Sequence, residues 1–307
     1  MQEVQTWIQT PSDKPKLLVI YWPTACGKTA LTIELAQKYN GEVINADSRQ
    51  IYRGMNIGTG KVMPEEMQWI PHHMLDIRDI SELYGVGEYA PEARRIIEDI
   101  HARGKLPILS GGTGLFIDSV VGNFTIPEVV ADWEYRDEME RFRLEHGNEA
   151  LWEKLNAVDP DYASDLDPRN YRYVIRGLEI WKETGQSKKL LGQKTESPYD
   201  FLRITPYDSD REKLYETINK RVELMFQNGL IEEVSQLVQN TEYKVHDEGL
   251  LKHLPWLNAI GYREVIDFLA ERISLEQAVE LVQQNSRNYA KRQLTWFRRY
   301  TEEGFDK

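Results

Sequence analysis

The chain has 307 residues, of which 41% are apolar and 29% charged, and this is the composition of a globular protein of about two domains. Its longest uninterrupted apolar run has six residues (17–22), whereas a membrane-spanning helix needs about 20, so we expect no membrane span. The polar start of the chain does not resemble a secretory signal peptide. A single cysteine excludes an intramolecular disulfide framework and a zinc site built on paired cysteines, so we expect a cytoplasmic protein.

The net charge of −12, taken alone, argues against a nucleic-acid partner. The charge is unevenly distributed, because residues 128–167 hold 13 acids and four bases, a net −9 that leaves −3 for the rest of the chain. Two segments are basic instead: one contains Arg287, Lys291, Arg292, Arg298 and Arg299 without an acid among them, and the other contains Arg169, Arg172 and Arg176. Local basic patches, rather than the total charge, decide whether a phosphate backbone can be bound.

Strand and helix patterns alternate in the first part of the chain. Residues 16–22 are apolar without alternation, which predicts a strand buried on both faces. The following segments predict, in order, a helix at 28–39, a strand at 42–46, a helix at 89–103, a strand at 106–110 and one more strand at 201–206. Strand–helix–strand alternation predicts an α/β fold with a parallel sheet.

The pattern changes near residue 124. Residues 131–185 are acidic and helical in pattern without strand signals, which predicts a helical insertion. Further helices are predicted at 210–228, 230–239, 255–271 and 274–300, the last with a capping box formed by Ser274 and Gln277. We therefore predict a core made of residues 1–123 and 197–307, with a helical insertion domain at 124–196.

The strongest local motif is the turn between the first strand and the first predicted helix, Trp22-Pro-Thr-Ala-Cys-Gly-Lys-Thr29. In such a turn, backbone N–H groups and the helix N-terminus converge on an anion, Lys28 adds a positive charge, and the Thr29 hydroxyl can bind Mg²⁺. Trp22 stands where the phosphate-loop pattern G-x-x-x-x-G-K-[ST] begins with glycine. A strand–turn–helix with an incidental Gly-Lys-Thr is the alternative. The neighbouring Lys28 and helix start predict a depressed pKa for the Cys26 thiol. A thiol turned into the strand–helix junction, or the charge of a bound diphosphate, would oppose that shift.

Two further segments follow predicted strands at the carboxyl edge of the sheet, where ligands of open α/β folds bind. Asp47 can act there as a general base or bind a metal through water, and capping of a helix is its alternative role. The glycines of segment 110–116 allow the backbone to approach a ligand closely, although a tight turn explains them equally well. His72 and His73 are expected to point to opposite faces of a strand and to be structural.

Seven segments occur in a characteristic order between residues 16 and 299: the phosphate loop, NADSRQIYRGMNIGTGK, GGTGLF, RYVIRGLEI, INKRVELMFQNGLIEEV, AIGYREV and AKRQLTWFRR. Together they resemble the bacterial tRNA dimethylallyltransferase (isopentenyltransferase) family. The resemblance implies a P-loop NTPase-like parallel-sheet core and a helical insertion that contacts tRNA. It also implies transfer of the dimethylallyl group of dimethylallyl diphosphate to the exocyclic amine of the adenosine 3′ of the tRNA anticodon. It further implies Mg²⁺ as cofactor and the tRNA anticodon stem-loop as partner. We also expect a monomer that does not contact a membrane.

The resemblance also assigns roles to residues. The loop residues Trp22, Pro23, Thr24, Ala25, Cys26, Gly27, Lys28 and Thr29 would hold the donor diphosphate. Within the loop, Thr24 would lie at the reaction centre, Lys28 would stabilise the charge that grows on the leaving diphosphate, and Thr29 would bind Mg²⁺. Asp47 would be the general base. Residues that would face the tRNA are Asp47, Ser48, Arg49, Gln50, Thr113, Arg172, Tyr173, Val174, Ile175 and Arg176. The target adenine would have to leave the anticodon-loop stack.

The chain departs from the family pattern at four positions. Trp22 replaces a glycine, Cys26 a serine and Tyr173 a frequent arginine, and Asn258 stands where relatives can carry arginine or glutamine near the diphosphate. In the basic C-terminal helix, tRNA backbone contact competes with a merely solvated face, and its aromatic residues Tyr289, Trp296 and Phe297 are predicted to be core.

Three other functions remain open at this stage. A prenyltransferase could act on free adenylate, and a P-loop nucleotide kinase would share the loop, which alone does not distinguish ATP from an allylic diphosphate. A catalytically silent RNA-binding relative is the third.

Overall fold

The computed structural model of the chain describes residues 2–122, 129–191, 196–206, 210–239 and 256–302. The chain divides into two compact units, one formed by Met1–Val121 together with Ser197–Lys307, the other by Gly122–Glu196. The predicted helical insertion, 124–196, falls within the second unit. Its contact with tRNA stays a prediction.

The first unit is built on a parallel sheet. In the described part of the chain this sheet has five strands: β1 (Lys16–Tyr21), β2 (Gly41–Asn45), β3 (His72–His73), β4 (Leu106–Gly111) and β5 (Asp200–Ile204). Their order is β3-β2-β4-β1-β5, and every neighbouring pair is parallel. The α/β prediction is therefore confirmed, and so is the return of the chain to the sheet at β5. The short edge strand β3 holds the two histidines that were expected on a strand, but its place in the sheet was not predicted, because two residues are too few to show a pattern.

Twelve helices are described: α1 (Gln2–Gln9), α2 (Lys28–Lys38), α3 (Val86–Ala102), α4 (Gly114–Val121), α5 (Trp133–Val158), α6 (Pro160–Ala163), α7 (Tyr171–Thr184), α8 (Lys188–Leu191), α9 (Arg211–Gln227), α10 (Leu230–Gln239), α11 (Tyr262–Leu269) and α12 (Leu275–Glu302). The Ser274–Gln277 capping box is present at the start of α12. None of these helices has a stretch long and apolar enough to cross a membrane.

Three helices differ from the sequence prediction, and one of them, α4, was not predicted because the glycines of segment 110–116 indicated a turn. The polar start of the chain forms α1, where Val4 is buried and the Trp7 indole N–H donates to Asp200 of β5. The helix predicted at 255–271 is only Tyr262–Leu269, because the residues before it form turns that end at Gly261 with φ +93°. Position 255 lies outside the described residues.

The sheet is buried on both faces, which is why its strands lack polar alternation. Successive side chains of β1 point to opposite sides, so Leu17 and Val19 pack with α3, α4 and α12. Leu18 and Ile20 pack with residues of α1 and α2 on the other side. A separate apolar cluster joins the segment around Tyr52 to α10 and α11. These three clusters support the carboxyl edge of the sheet, where the candidate site lies.

The second unit is helical, as predicted, with α5 to α8 and no strand among its described residues. The helix α5 is kinked at Gly147, whose φ is +89°. Glu179 is fully buried and paired with the guanidinium groups of Arg136 and Arg176. These hydrogen bonds hold the pKa of Glu179 below its usual value even though burial acts to raise it.

The predicted tRNA-facing run 172–176 is corrected at two positions. Val174 and Ile175 lie in the apolar core of the second unit, 0% and 7% exposed, so their side chains are not available to tRNA. Five consecutive residues of a helix cannot share one face. Arg176 also donates to the carbonyl of Val129. Only Arg172 and Tyr173 of this run are exposed.

Candidate active site

The predicted phosphate loop joins β1 to α2 at the carboxyl edge of the sheet. Within the loop, Ala25 and Gly27 adopt positive φ values of +65° and +84°. Turns of this kind direct successive backbone N–H groups into a concave surface that suits an anion. Gly27 precedes α2 and has no side chain to cap it, so the first N–H groups of the helix face this concave surface as well.

The loop lines a cavity of about 280 Å³, which we call the loop cavity. Its lining includes Thr24 to Thr29 of the loop and α2, Asn45 at the end of β2, Asp47 after it, Thr59, Gly60 and Val62, Ser110 to Gly112 at the end of β4, Arg221 of α9 and Gln293 of α12. Trp22 and Pro23, although predicted to hold the diphosphate, are not in this lining. The Trp22 ring is stacked on Phe297 in the core at 5.9 Å. This placement explains how a large side chain fits where the family has glycine.

The cations of the loop cavity suit an anionic ligand. Lys28 Nζ donates to the carbonyl oxygens of Trp22 and Pro23 at 2.8 and 2.7 Å. Burial lowers the pKa of Lys28, and the charge of Arg221 lowers it further, whereas Asp47 opposes the shift. Burial likewise lowers the pKa of Arg221. A bound anion such as a diphosphate would relieve the repulsion between these two cations.

Arg221 was missed by the sequence reasoning. Its guanidinium donates to the hydroxyl of Thr24 at 2.8 Å and to the carbonyl of Thr59 at 3.1 Å. A Cβ at Gly60 would lie 1.8 Å from this guanidinium, which would have to leave its present position to make room for a side chain there. The segment INKRVELMFQNGLIEEV contains Arg221 and was its available signal, but 197 residues separate it from Thr24. Only the folded chain brings the two together.

Asp47 lies where the sequence predicted, directly after β2. One of its carboxylate oxygens accepts the N–H of Arg49 at 2.9 Å, so Asp47 caps a local turn. It also lines the loop cavity beside Thr24 and Arg221. Gln50 lines the same cavity and donates to the carbonyl of Thr59. Turn capping and a role in chemistry are therefore compatible at Asp47.

A second cavity, of about 240 Å³, adjoins the first, and we call it the acceptor cavity. Its polar lining residues include Ser48, Arg49, Asn258, Ser286, Tyr289 and Arg292, and its apolar lining residues include Ile218, Val222, Met225, Ile260 and Val282. The two cavities share the residues Thr24, Ala25, Asp47, Thr59 and Arg221. Ligands entering from the two cavities would therefore meet at Thr24, Asp47 and Arg221.

Two sequence expectations concern residues of the acceptor cavity. Tyr289 was predicted to be core but lines this cavity; burial, together with the charge of Asp47, raises its pKa to about 12. Asn258 lines the acceptor cavity and not the loop cavity, and its place near a diphosphate stays a prediction. The other two aromatic residues of the core prediction follow it: Phe297 is fully buried, and Trp296 packs against the same core.

Thr113, predicted to face tRNA, lines neither cavity. Its hydroxyl accepts the N–H of Ser48 at 3.0 Å, and its own N–H donates to the carbonyl of Ala46. The glycines before it permit close contact between protein segments, since a Cβ at Gly111 would lie 2.2 Å from the Ala46 carbonyl oxygen. This segment therefore holds the chain around Ala46 and Ser48 in place next to Asp47.

The predicted low pKa of Cys26 is wrong. Burial raises the pKa of the thiol by more than the charge of Lys28 lowers it. The thiol packs against the apolar core and donates to the carbonyl of Pro23 at 3.0 Å. Sequence reasoning identified the cation and the helix N-terminus but not the burial.

Segment 56–60, which carries Thr59 and Gly60 into the site, is held by one acid. The carboxylate of Glu233 accepts the N–H groups of Asn56, Ile57 and Gly58 at 3.0, 2.7 and 3.1 Å. The hydroxyl of Tyr262 donates to the same carboxylate at 2.6 Å. The sequence reasoning assigned no role to Glu233, because its partners lie on separate elements.

The residues of the loop cavity suit a Mg²⁺ ion that takes most of its ligands from substrate phosphates and water. The described residues contain no group of three or more His, Cys, Asp or Glu residues that could hold a metal. The cavity instead offers Thr29, Asp47 and the hydroxyls of Thr32 and Ser110, which are 2.8 Å apart. Mg²⁺ typically keeps several waters and takes one or two protein ligands besides substrate phosphates.

The two adjacent histidines have hydrogen bonds on opposite faces of β3. The ring of His73 bonds to the buried Glu42 at 2.8 Å, and the ring of His72 bonds to the carbonyl of Ile70 at 2.9 Å. Both bonds are structural, as expected. His72 additionally lines the loop cavity.

Comparison with known proteins decides the family. The family model described as IPP transferase matches residues 50–300. The chain belongs to the IPP transferase family. A tRNA dimethylallyltransferase of Halalkalibacterium halodurans is 44% identical over 93% of this chain and 88% of the relative.

Solved structures agree with this membership. The crystal structure of a tRNA isopentenylpyrophosphate transferase from Bacillus halodurans matches with a TM-score of 0.65 and 44% identity, covering 93% of this chain and 87% of that one. A eukaryotic dimethylallyltransferase acting on tRNA matches with a TM-score of 0.77 and 33% identity, covering 92% and 70%. These neighbours confirm the P-loop-like α/β fold.

Proposed function

We propose that this member of the IPP transferase family transfers the dimethylallyl group of dimethylallyl diphosphate to the exocyclic amine of the adenosine 3′ of a tRNA anticodon. The observation that carries the proposal is the meeting of two cavities at Thr24, Asp47 and Arg221. One cavity has a cationic phosphate loop, and the other has polar side chains, apolar side chains and the ring of Tyr289, which together suit a nucleobase. A donor and an acceptor bound in them would face each other at the shared residues.

In this proposal the donor diphosphate lies in the loop cavity. The N–H groups of the loop and the cations Lys28 and Arg221 bind its oxygens. Lys28 and Arg221 also stabilise the negative charge that grows on the diphosphate as the allylic C–O bond breaks. Because both cations are partly withdrawn from water, this stabilisation is stronger than at the protein surface.

The acceptor adenine occupies the other cavity after leaving the anticodon-loop stack. Asp47 takes a proton from the exocyclic amine as the new N–C bond forms, so that the transferred group is attached to a neutral amine. Thr24, held by Arg221, orients the reacting ends at the junction. Ser48, Arg49 and Tyr289 contact the nucleotide from the surrounding wall.

Mg²⁺ is proposed to bind at the loop cavity through Thr29. When bound, it would supply positive charge that helps the diphosphate leave. Two separate sets of tRNA contacts are proposed: Arg172 and Tyr173 in the second unit, and the cations of α12 in the first unit. We further propose that the protein acts as a monomer, because residues of one chain line both cavities. The single cysteine and the proposed tRNA substrate favour the cytoplasm as its location.

One incubation tests the proposal against its rivals. The protein is mixed with labelled dimethylallyl diphosphate and unmodified tRNA, with free AMP replacing tRNA in a second reaction and labelled ATP replacing the donor in a third. We expect label to pass only from the prenyl donor to tRNA. Label on AMP would indicate an adenylate prenyltransferase, phosphate transfer from ATP a kinase, and RNA binding without transfer a silent relative.

A further inference from the structure

Gln293 of α12 forms a bridge that the proposed chemistry does not yet use. Its side-chain oxygen accepts the backbone N–H of Thr24 at 3.1 Å, and its side-chain nitrogen donates to the carbonyl of Gly112 at 2.8 Å. An N–H can only donate and a carbonyl can only accept, so the carboxamide has one orientation here. The bridge needs a hydrogen-bond acceptor and a hydrogen-bond donor on one side chain, and neither a carboxylate nor an apolar side chain supplies both.

The bridge has little freedom to move. Gln293 is only 4% exposed, and a Cβ at Gly112 would lie 2.3 Å from its side-chain nitrogen. The helix that carries Gln293 is itself fixed on α4, because the buried carboxylate of Asp118 accepts the indole N–H of Trp296 at 3.0 Å. The carboxamide therefore reaches the phosphate loop from a rigid support.

Thr24 is consequently held from two sides. Gln293 holds its backbone, and Arg221 donates to its hydroxyl. Thr24 lies where the loop cavity and the acceptor cavity meet, so a shift of this residue would change the alignment of donor and acceptor. We propose that Gln293 is a positioning residue that sets the place of Thr24 for the transfer step. This inference rests on the proposed function.

The first test replaces Gln293 with methionine, which keeps the length of the side chain and removes both hydrogen bonds. A displacement of about 1 Å at a reaction centre can lower the rate about 10²-fold, so we expect a loss of kcat of that order. The KM for tRNA should change little, because the acceptor cavity does not include Gln293. The matched control is Gln284→Met, at an exposed position of the same helix, which should behave as the wild type.

A double-mutant cycle distinguishes positioning from general destabilisation. It compares the kcat values of Gln293→Met, Thr24→Ala and the double variant. If Gln293 acts through Thr24, the double variant should lose about as much as the more impaired single variant. Independent losses that multiply would overturn the inference. If Gln293→Met does not fold, the same cycle is measured with Gln293→Leu.

The activity of the wild-type protein distinguishes a failure of the proposed function from a failure of the role of Gln293. A wild-type protein that transfers no prenyl group to tRNA contradicts the proposed function itself. If the wild type is active, two results contradict only the role of Gln293. In one, the losses of the two single variants multiply in the double variant; in the other, Gln293→Met keeps the wild-type kcat.

Discussion

The carboxylate of Asp47 lies where the two roles that the sequence allowed, capping and general base catalysis, are compatible. One of its oxygens accepts the N–H of Arg49 and so shapes the turn after β2. The same residue lies at the junction of the two cavities, beside Thr24. A turn cap needs only an acceptor, whereas a general base needs a group that can take up a proton. This chemical difference allows the two roles to be tested separately.

Asp47→Asn keeps an oxygen that can accept the N–H of Arg49 but removes the basic carboxylate. We expect the variant to fold, to bind tRNA nearly as the wild type does, and to lose about 10²–10⁴-fold in kcat. Single-turnover transfer at saturating donor and tRNA measures this loss. Retention of more than half the wild-type rate would show that Asp47 is not the base.

Cys26 offers a measurement at a single thiol, because the chain has no other cysteine. Burial raises its pKa, and a higher pKa leaves a smaller fraction of reactive thiolate at any pH below it. We expect iodoacetamide to react at pH 8 more slowly with the folded protein than with the protein unfolded in urea. The rate for the folded protein should continue to rise above pH 9.

The control for this measurement is Cys26→Ser, which should take up no label and stay active, since the thiol has no role in the proposed chemistry. Dimethylallyl diphosphate should slow the labelling of the folded wild type further, because Cys26 lines the loop cavity. A folded protein that reacts faster than the unfolded one at pH 8 would refute the raised pKa.

At the scale of elements, helices distant in sequence complete the site. The loop after β1 and the segment after β2 supply Thr24, Lys28 and Asp47, but α9 supplies Arg221 and α12 supplies Gln293. The helix α10 contributes indirectly, because Glu233 binds three successive N–H groups of segment 56–60. That segment presents the carbonyl of Thr59 to Arg221.

Replacing Glu233 by glutamine tests this support. One carboxylate oxygen becomes an NH₂ group, which cannot accept and faces N–H donors. Leaving buried polar groups unpaired costs about 1–3 kcal/mol, so the free energy of unfolding should fall by that amount. Hydrogen exchange at residues 56–58 should become faster, and kcat/KM should fall with it.

The matched control is Glu232→Gln, since Glu232 is the exposed neighbour on the same helix. It should change neither the hydrogen exchange of segment 56–58 nor the stability. Equal effects of the two substitutions would mean that Glu233 does not hold the segment.

At the scale of the whole molecule, the charge distribution matters more than its sum. The net charge is −12, yet α12 carries cations beside the acceptor cavity, and Arg292 lines that cavity. Lys291, Arg292, Thr295, Trp296 and Arg299 also line a surface depression on this helix. An acidic protein can bind RNA when its cations are grouped in this way.

Neutralising Arg292, Arg298 and Arg299 together to glutamine should weaken tRNA affinity and flatten its salt dependence. Each lost phosphate contact should lower the slope of log affinity against log salt by roughly one unit. Binding titrations at several salt concentrations measure this slope.

The control neutralises three exposed cations on other elements, Lys38, Arg95 and Arg272, which changes the net charge equally. If both triple variants shift the slope by the same amount, α12 has no specific role in binding tRNA. If the slope of the α12 variant equals that of the wild type, the cations of this helix are solvated and do not contact tRNA.

The sequence by itself determined the α/β class, the parallel sheet, the phosphate loop, the position of Asp47 after β2 and the family. These features depend on residues close together along the chain, where apolar runs, turn residues and the Gly-Lys-Thr motif act locally. The order of the seven segments added the function that we propose. The helices α1 and α4 escaped this reasoning, because both are short, α1 is mostly polar and α4 begins in a glycine-rich segment. The place of β3 at the edge of the sheet escaped it as well.

Tertiary structure alone decided which residues share a cavity. It joined Arg221 and Gln293 to Thr24 across about two-thirds of the chain or more, and it placed Val174 and Ile175 in a core instead of on a tRNA surface. It also reversed the expected pKa shift of Cys26, since burial depends on what packs against a side chain in space. Contacts, burial and electrostatic fields depend on distances in three dimensions, which a one-dimensional pattern does not contain.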